Sequence, residues 1–122
     1  MSGYVPANVR RYWDVVMKLG CSVTGSGLDL TLHHCHGGSM CERDASRMFG
    51  RKTSNWLVIP LVRKLHVGPG GIDGFPRPPV HEWEAKHGRQ ADMIDRIIVA
   101  TGIDVWELAR AESKGMCPRR VA

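Results

Sequence analysis

Residues 68–79, GPGGIDGFPRPP, divide the chain into two parts with different patterns. Glycine and proline fill eight of these twelve positions, and both residue types interrupt helices and strands. We therefore expect a rigid, turn-rich link without a long regular element. After one N-terminal helix, strand-like patterns come before the link, and helical patterns follow it. This order predicts a small α+β domain.

Three helical stretches follow the link, namely VHEWEAKHG, QADMIDRIIVATG and DVWELARAESKG. Each has apolar residues at spacings of three or four, and each ends near a glycine, as amphipathic helices do. In the first stretch, Glu82 and Glu84 are predicted to be charges on the helix surface. The tail from about residue 114 is expected to be flexible.

Before the link, PANVRRYWDVVMKLG predicts the N-terminal helix. CSVTGSGLDLTLHH predicts a short hairpin whose second strand ends at the histidines. NWLVIPL predicts a further strand that ends at Pro60, and VRKLHVG predicts a short helix carrying His66. Residues 37–54 are polar and are expected to form a long loop with one helical turn at most.

The length and composition indicate one globular domain. The chain has 122 residues, of which 43% are apolar and 24% are charged, as in ordinary globular proteins. No apolar run approaches the roughly 20 residues that span a bilayer, and MSGYVPANVRRYW lacks the pattern of a signal peptide. We therefore expect a single domain over residues 1–122, without membrane association, in the cytoplasm.

The charge and the cysteines narrow the functional classes. The net charge of +5 suits a polyanionic partner such as nucleic acid. The four cysteines lack the regular spacing of a secreted disulfide framework and are predicted to be free thiols or metal ligands. No pair of them has CxxC spacing. A structural zinc is therefore not expected. These cysteines are Cys21, Cys35, Cys41 and Cys117.

The stretch LTLHHCHGG places three histidines within four positions. Because side chains alternate along a strand, His33 and His34 should point to opposite faces. Imidazole binds divalent transition metals and also takes protons near neutral pH. One histidine could thus bind a metal together with His66 while the other activates a nucleophile. Two alternatives remain: solvated polar positions, or a separate site built from Cys35, His36 and Cys41.

Three segments resemble HNH endonucleases of the ββα-metal fold, and among them the phage Ref-type recombination-enhancement nucleases. They are LHHCHGG, SNWLVIPLVRKLHVGPGGIDG and WEAKHGRQADMI. The resemblance extends over about residues 12–100. It implies a ββα-metal core with an N-terminal helix and about three C-terminal helices.

The resemblance also implies roles for five residues. His33 and His66 would be metal ligands, His34 the general base for water, and Asp73 a carboxylate that completes the site. Asn55 would orient the base, although the commoner spacing of the family places Leu57 there.

The chain departs from the family at the positions that hold a structural zinc. In the family, two CxxC-like knuckles often hold this zinc. Here the first knuckle keeps Cys21 but has Thr24, and the second has Val62 and Leu65 where cysteine and histidine are expected. Loss of this zinc is therefore predicted. Core packing and the C-terminal helices would have to replace it.

The resulting prediction is a metal-dependent DNA endonuclease or nickase in phage or prophage recombination, in the cytoplasm of a bacterial host. It would use one divalent ion, Mg, Mn or Zn, bind DNA with weak sequence preference, and work with a recombinase. The rival is a catalytically degenerate DNA-binding module that keeps the same fold without the metal chemistry. The two hypotheses differ in whether a divalent ion is needed for turnover. The predicted phosphate contacts are the cations that flank the histidines, Arg43, Arg47, Arg51, Lys52, Arg63 and Lys64.

Overall fold

The computed structural model describes residues 5–43 and 54–113, which form a mixed α+β fold as predicted. The predicted tail and three predicted phosphate contacts, Arg47, Arg51 and Lys52, lie outside the described residues. The elements in chain order are α1 Ala7–Met17, β1 Leu30–His34, α2 Ser39–Arg43, β2 Val58–Val62, α3 Arg63–His66, α4 Val80–His87, α5 Gln90–Thr101 and α6 Val105–Ser113.

The two strands form one antiparallel sheet, in which Leu30 pairs with Val62 and His34 pairs with Val58. The short helix α3 follows β2 without a break. Every residue of β2 is buried, whereas β1 is mostly half-buried. The sheet and α3 thus bring the end of β1, with its histidines, next to His66.

The predicted hairpin within residues 21–34 is wrong. Residues 22–24 form a turn, and β1 pairs instead with β2, which follows it much later in the chain. The glycine- and serine-rich stretch before β1 offers little apolar surface to pack against. The VIPLV segment of β2 offers a fully buried strand, so burial favours the long-range pairing.

The prediction that Pro60 ends its strand is also wrong, since Pro60 is the central residue of β2. It pairs with Leu32, and its carbonyl accepts a hydrogen bond from Ser22 N at 2.9 Å. The backbone polar groups of Pro60 therefore point away from β1. Its missing N–H costs no bond between the strands, which is how an edge strand accommodates proline.

The helices pack around the sheet and enclose one core. α1 contributes Val9, Tyr12 and Val16. The indole of Trp83 on α4 is buried, and its Nε1 donates to the carbonyl of Leu65 at 3.2 Å. The predicted N-terminal helix, the short helix carrying His66 and the three C-terminal helices are all confirmed, as is the turn-rich link.

Glu84 corrects a further prediction. Glu82 is exposed as expected, but the carboxylate of Glu84 is buried, with 8% of the residue exposed. It accepts hydrogen bonds from Ser39 N at 2.9 Å and Ser39 Oγ at 2.7 Å. The polar start of α2 gives this carboxylate the donors it needs in the interior.

Candidate metal centre

Three side chains from three different segments meet beside the sheet. His33 is on β1, His66 is the last residue of α3, and Asp73 lies in the glycine-rich link. Oδ2 of Asp73 is 3.1 Å from His33 Nδ1 and also 3.1 Å from His66 Nε2. One potential ligand atom from each residue lies within 4.8 Å of the other two. Both imidazoles are largely buried, with exposed side-chain fractions of 0% and 12%.

Backbone hydrogen bonds bring Asp73 to this place. The link turns after α3 and returns along its end, where Ile72 N donates to Leu65 O at 2.9 Å and Asp73 N donates to His66 O at 2.7 Å. The carboxylate therefore follows α3 and faces the histidine that ends it.

The hydroxyl of Thr31 determines which nitrogen of His66 faces Asp73. Thr31 Oγ1 donates to the carbonyl of Leu61 at 2.9 Å and also lies 2.7 Å from His66 Nδ1. Because a hydroxyl has a single proton, Thr31 must accept from His66, and Nδ1 carries a hydrogen. A neutral His66 then directs the lone pair of Nε2 at Asp73.

Gln90 has the same effect on His33. Its amide oxygen Oε1 lies 2.9 Å from His33 Nε2, so this nitrogen must be the donor. The lone pair of a neutral His33 is then on Nδ1, which also faces Asp73.

Two imidazole lone pairs and one carboxylate oxygen therefore converge. Such a set of acceptors is stable only if both rings are protonated or if a cation lies among them. The other ring nitrogen of each histidine donates to an oxygen, as is usual for imidazoles that bind metal. Two nitrogens and one carboxylate oxygen form a set suited to a divalent ion such as Mn²⁺ or Zn²⁺. The residues present fit a single divalent ion.

His36 belongs to this cluster. Its Nε2 lies 2.7 Å from Asp73 Oδ1, the carboxylate oxygen that the other two histidines leave free. Burial acts to raise the pKa of Asp73, but the contacts with the three imidazoles outweigh it and hold that pKa well below its usual range. The resemblance gave His36 no role, although its place three residues after His33 at a strand end was a visible indication.

The separate site considered for Cys35, His36 and Cys41 does not form. Among residues 5–43 and 54–113, the one group of three or more potential ligands is His33, His66 and Asp73. Cys35 is fully buried, and burial, together with the charges of Glu84 and Asp73, raises the pKa of its thiol.

His34 lies on the opposite face of β1, as the alternation predicts. Its Nε2 donates to Asn55 Oδ1 at 2.9 Å, and Trp13 Nε1 donates to the backbone carbonyl of Asn55 at 2.8 Å. Trp13 and His34 also meet edge to face, with ring centroids 5.7 Å apart. Two positions were considered for the residue that orients the base. Asn55 contacts His34, whereas Leu57 is a core residue that is 1% exposed.

The predicted phosphate contacts that the structure describes differ in their surroundings. The guanidinium of Arg43 forms an ion pair with Asp95 at 2.8 Å and lies 4.4 Å from the centroid of the Trp106 ring. This arginine joins α2 to α5 and α6. Arg63 forms an exposed pair with Asp29 at 3.2 Å, and Lys64 is exposed.

Cys21 contacts Val62, and the resemblance places these two residues in the first and the second zinc knuckle. Cys21 Sγ accepts hydrogen bonds from Thr24 N and Val62 N, each at 3.4 Å. Burial acts to raise the pKa of Cys21, but these hydrogen bonds lower it overall. The cysteine that remains thus caps a turn against the end of β2.

Comparisons with family models, with curated proteins and with solved structures return no match. In the part of the chain that the structure describes, no helix has the length and hydrophobicity needed to cross a membrane.

Proposed function

We propose that the chain is a metal-dependent nuclease that hydrolyses phosphodiester bonds in DNA, with an HNH-like ββα-metal core. One observation carries the proposal: His33 and His66 both turn lone-pair nitrogens toward the carboxylate of Asp73. Hydrogen bonds with other groups fix both rings in this orientation. A divalent cation among these acceptors would satisfy all three of them.

His33, His66 and Asp73 would hold one divalent ion. When bound, this ion would supply Lewis-acid stabilisation of the negative charge that develops on a phosphate and on the leaving oxygen. His36 would hold Asp73 in place through its second carboxylate oxygen, at 2.7 Å.

His34 would be the general base. Its Nε2–H is held by Asn55, so Nδ1 of the neutral ring carries the lone pair that can take a proton from water. Asn55, itself held by Trp13, would fix the tautomer and the orientation of the ring.

DNA is the proposed substrate because the chain carries a net charge of +5 and exposes Arg63 and Lys64 on α3, which also carries His66. Contacts of this kind bind the phosphate backbone without reading bases, so weak sequence preference follows. The resemblance to Ref-type nucleases extends the proposal to phage or prophage recombination beside a recombinase.

Nicking of supercoiled plasmid in Mn²⁺ or Mg²⁺ tests the proposal. His34→Ala should retain metal binding but lose about two to four orders of magnitude in the nicking rate, the contribution of a general base. His81→Ala, which removes an exposed histidine of α4, is the control and should nick as the wild type does. Equal nicking by wild type and His34→Ala would remove His34 from the mechanism.

A catalytically degenerate DNA-binding module is the second candidate. It is favoured by the packing of His34, which is half-buried, hydrogen-bonded to Asn55 and in contact with Trp13. A wild-type protein that binds duplex DNA but nicks plasmid in none of Mg²⁺, Mn²⁺ or Zn²⁺ would support this candidate over the nuclease.

A further inference from the structure

Gln90, the first residue of α5, is completely buried and uses every hydrogen-bonding position of its side-chain amide. Oε1 accepts from His33 Nε2 at 2.9 Å and from the backbone N–H of His36 at 3.0 Å. Nε2 donates to the carbonyl of His36 at 2.8 Å and to Glu84 Oε2 at 2.9 Å. A primary amide has two donors and two acceptor positions, and all four are used here.

These partners allow only one orientation of the amide. If the amide were flipped, its oxygen would face the carboxylate of Glu84 and the carbonyl of His36, which can only accept. Its NH₂ group would face the backbone N–H of His36, which can only donate. Each mismatch would leave a buried polar group unsatisfied, which destabilises the flipped orientation.

Glu84 is fixed in turn by α2 and α5. Besides Ser39 N and Oγ, it accepts from the backbone N–H of Gln90 at 3.0 Å. Burial acts to raise the pKa of Glu84, but hydrogen bonds from Gln90 and Ser39 outweigh it and lower that pKa, which favours the charged form.

We propose that Gln90 is a positioning residue that selects the tautomer of His33, and that Glu84 locks the amide of Gln90 in the orientation this requires. Gln90 keeps the proton of His33 on Nε2 and thereby leaves Nδ1 to the metal centre. The ion site on the sheet then depends on the docking of α4 and α5, which carry Glu84 and Gln90. This inference rests on the proposed metal centre.

A simpler role would be that Gln90 only satisfies polar groups between the helices. In that case its removal would lower stability without changing the tautomer of His33 or the affinity for metal. Thr101→Val provides the matched control, because Thr101 Oγ1 donates to Ile97 O at 2.9 Å and accepts from Ile103 N at 3.2 Å at the other end of α5, away from Glu84 and Gln90.

The first experiment needs no variant. Nitrogen–proton NMR of the metal-free wild type, recorded as the pH is raised until the ring of His33 is neutral, reports which of its nitrogens keeps a hydrogen. A proton on Nε2 is expected, because Gln90 Oε1 offers only an acceptor. A ring with no proton on Nε2 would overturn the inference, whether or not the protein binds metal.

The second experiment is Zn²⁺ calorimetry on wild type, Gln90→Met and Thr101→Val, each shown by circular dichroism to be folded. Gln90→Met should bind Zn²⁺ about 10–100-fold more weakly, the usual effect of losing a group that orients a metal ligand. Thr101→Val should bind close to the wild-type affinity.

The outcomes separate the two proposals. If wild type and Gln90→Met bind Zn²⁺ equally well, the positioning role is wrong and the metal centre stands. An equal loss in Gln90→Met and Thr101→Val would likewise assign Gln90 a structural role only. If the wild type binds no Zn²⁺, the metal centre itself fails, and the NMR result alone then decides whether Gln90 sets the tautomer.

Discussion

Asp73 is the residue on which the three imidazoles of the cluster converge, two through Oδ2 and one through Oδ1. The resemblance gave it the role of a carboxylate that completes the site. A carboxylate there brings one negative charge and a hard oxygen to a pair of nitrogens. Oxygen ligands suit Mn²⁺ and Mg²⁺, whereas imidazoles suit Zn²⁺ and other transition metals. We therefore expect Mn²⁺ and Zn²⁺ to bind more tightly than Mg²⁺.

Tyr12 differs from Asp73, whose carboxylate oxygens contact three imidazoles. Within the described ranges, its Oη is the one fully buried side-chain nitrogen or oxygen that lacks a hydrogen-bond partner. Burial, with a smaller contribution from Cys35, raises the pKa of Tyr12 to about 12. A polar group that is buried without a partner destabilises the folded state.

Tyr12→Phe should therefore raise the free energy of unfolding, by about 1 kcal/mol, since the unpaired hydroxyl is removed. The ring contact with Trp56, at 5.4 Å between centroids, would be kept. Urea denaturation followed by tryptophan fluorescence measures the change. A clear loss of stability would show that the hydroxyl has a partner.

At the scale of elements, the amphipathic helices could be predicted from the sequence because their apolar spacing is local. The pairing of the strands could not. Leu30–His34 lies more than twenty residues before Val58–Val62, and the sequence does not show which buried strand a half-buried one will join. The place of Pro60 in its strand was misinterpreted for a related reason. A missing N–H is harmless only on the side of the strand that does not pair, and which side that is depends on the strand pairing.

The site was partly predictable in the same sense. Alternation along β1 and the resemblance pointed to His33, His34, His66 and Asp73, and Asn55 lies against His34. Gln90 and Glu84 were missed as part of the site because both lie on amphipathic helices. On such helices a polar residue is usually a surface residue, and only the docked helices show that these two are buried.

Gly71 tests how the link delivers Asp73. A Cβ at this position would lie 2.7 Å from the backbone carbonyl oxygen of His66, so Gly71→Ala must push the link away from α3. The hydrogen bond from Asp73 N to His66 O would then be strained. We expect weaker Zn²⁺ binding, by at least the 10-fold typical of a misplaced ligand.

Gly27→Ala is the control for this variant. A Cβ at Gly27 would meet nothing within 4 Å, and this variant should bind Zn²⁺ as the wild type does. If calorimetry gives equal affinities for Gly71→Ala and Gly27→Ala, the position of Asp73 does not depend on the contact between the link and α3.

At the scale of the whole molecule, positive charge lies close to the candidate metal centre. α3 carries Arg63 and Lys64 next to His66. Arg43 is already paired with Asp95 and packed on Trp106, which makes it a better bridge between helices than a phosphate contact. The DNA surface is thus expected to centre on α3.

The salt dependence of DNA binding tests this surface. If about four cations contact phosphates, the slope of log affinity against log salt should be about −3.6, at −0.9 per contact. Replacing Arg63 and Lys64 by alanine should flatten the slope by about two units, with little change in sequence preference. Lys18→Ala is the control. Lys18 directly follows α1, and its replacement should leave the slope unchanged.

The slopes are measured by fluorescence anisotropy with a labelled duplex. A double variant with the wild-type slope would place the DNA surface away from α3. It would also show that the DNA-binding surface does not lie beside the candidate metal centre.

The central claim is that His33, His66 and Asp73 bind one divalent ion, and anomalous scattering from crystals grown with Zn²⁺ tests it most directly. We predict one anomalous peak at about 2 Å from His33 Nδ1, His66 Nε2 and an oxygen of Asp73, the usual distance for such ligands. The peak should disappear in His66→Ala. A saturated crystal with no peak among these three side chains, or with the ion bound elsewhere, would contradict the account.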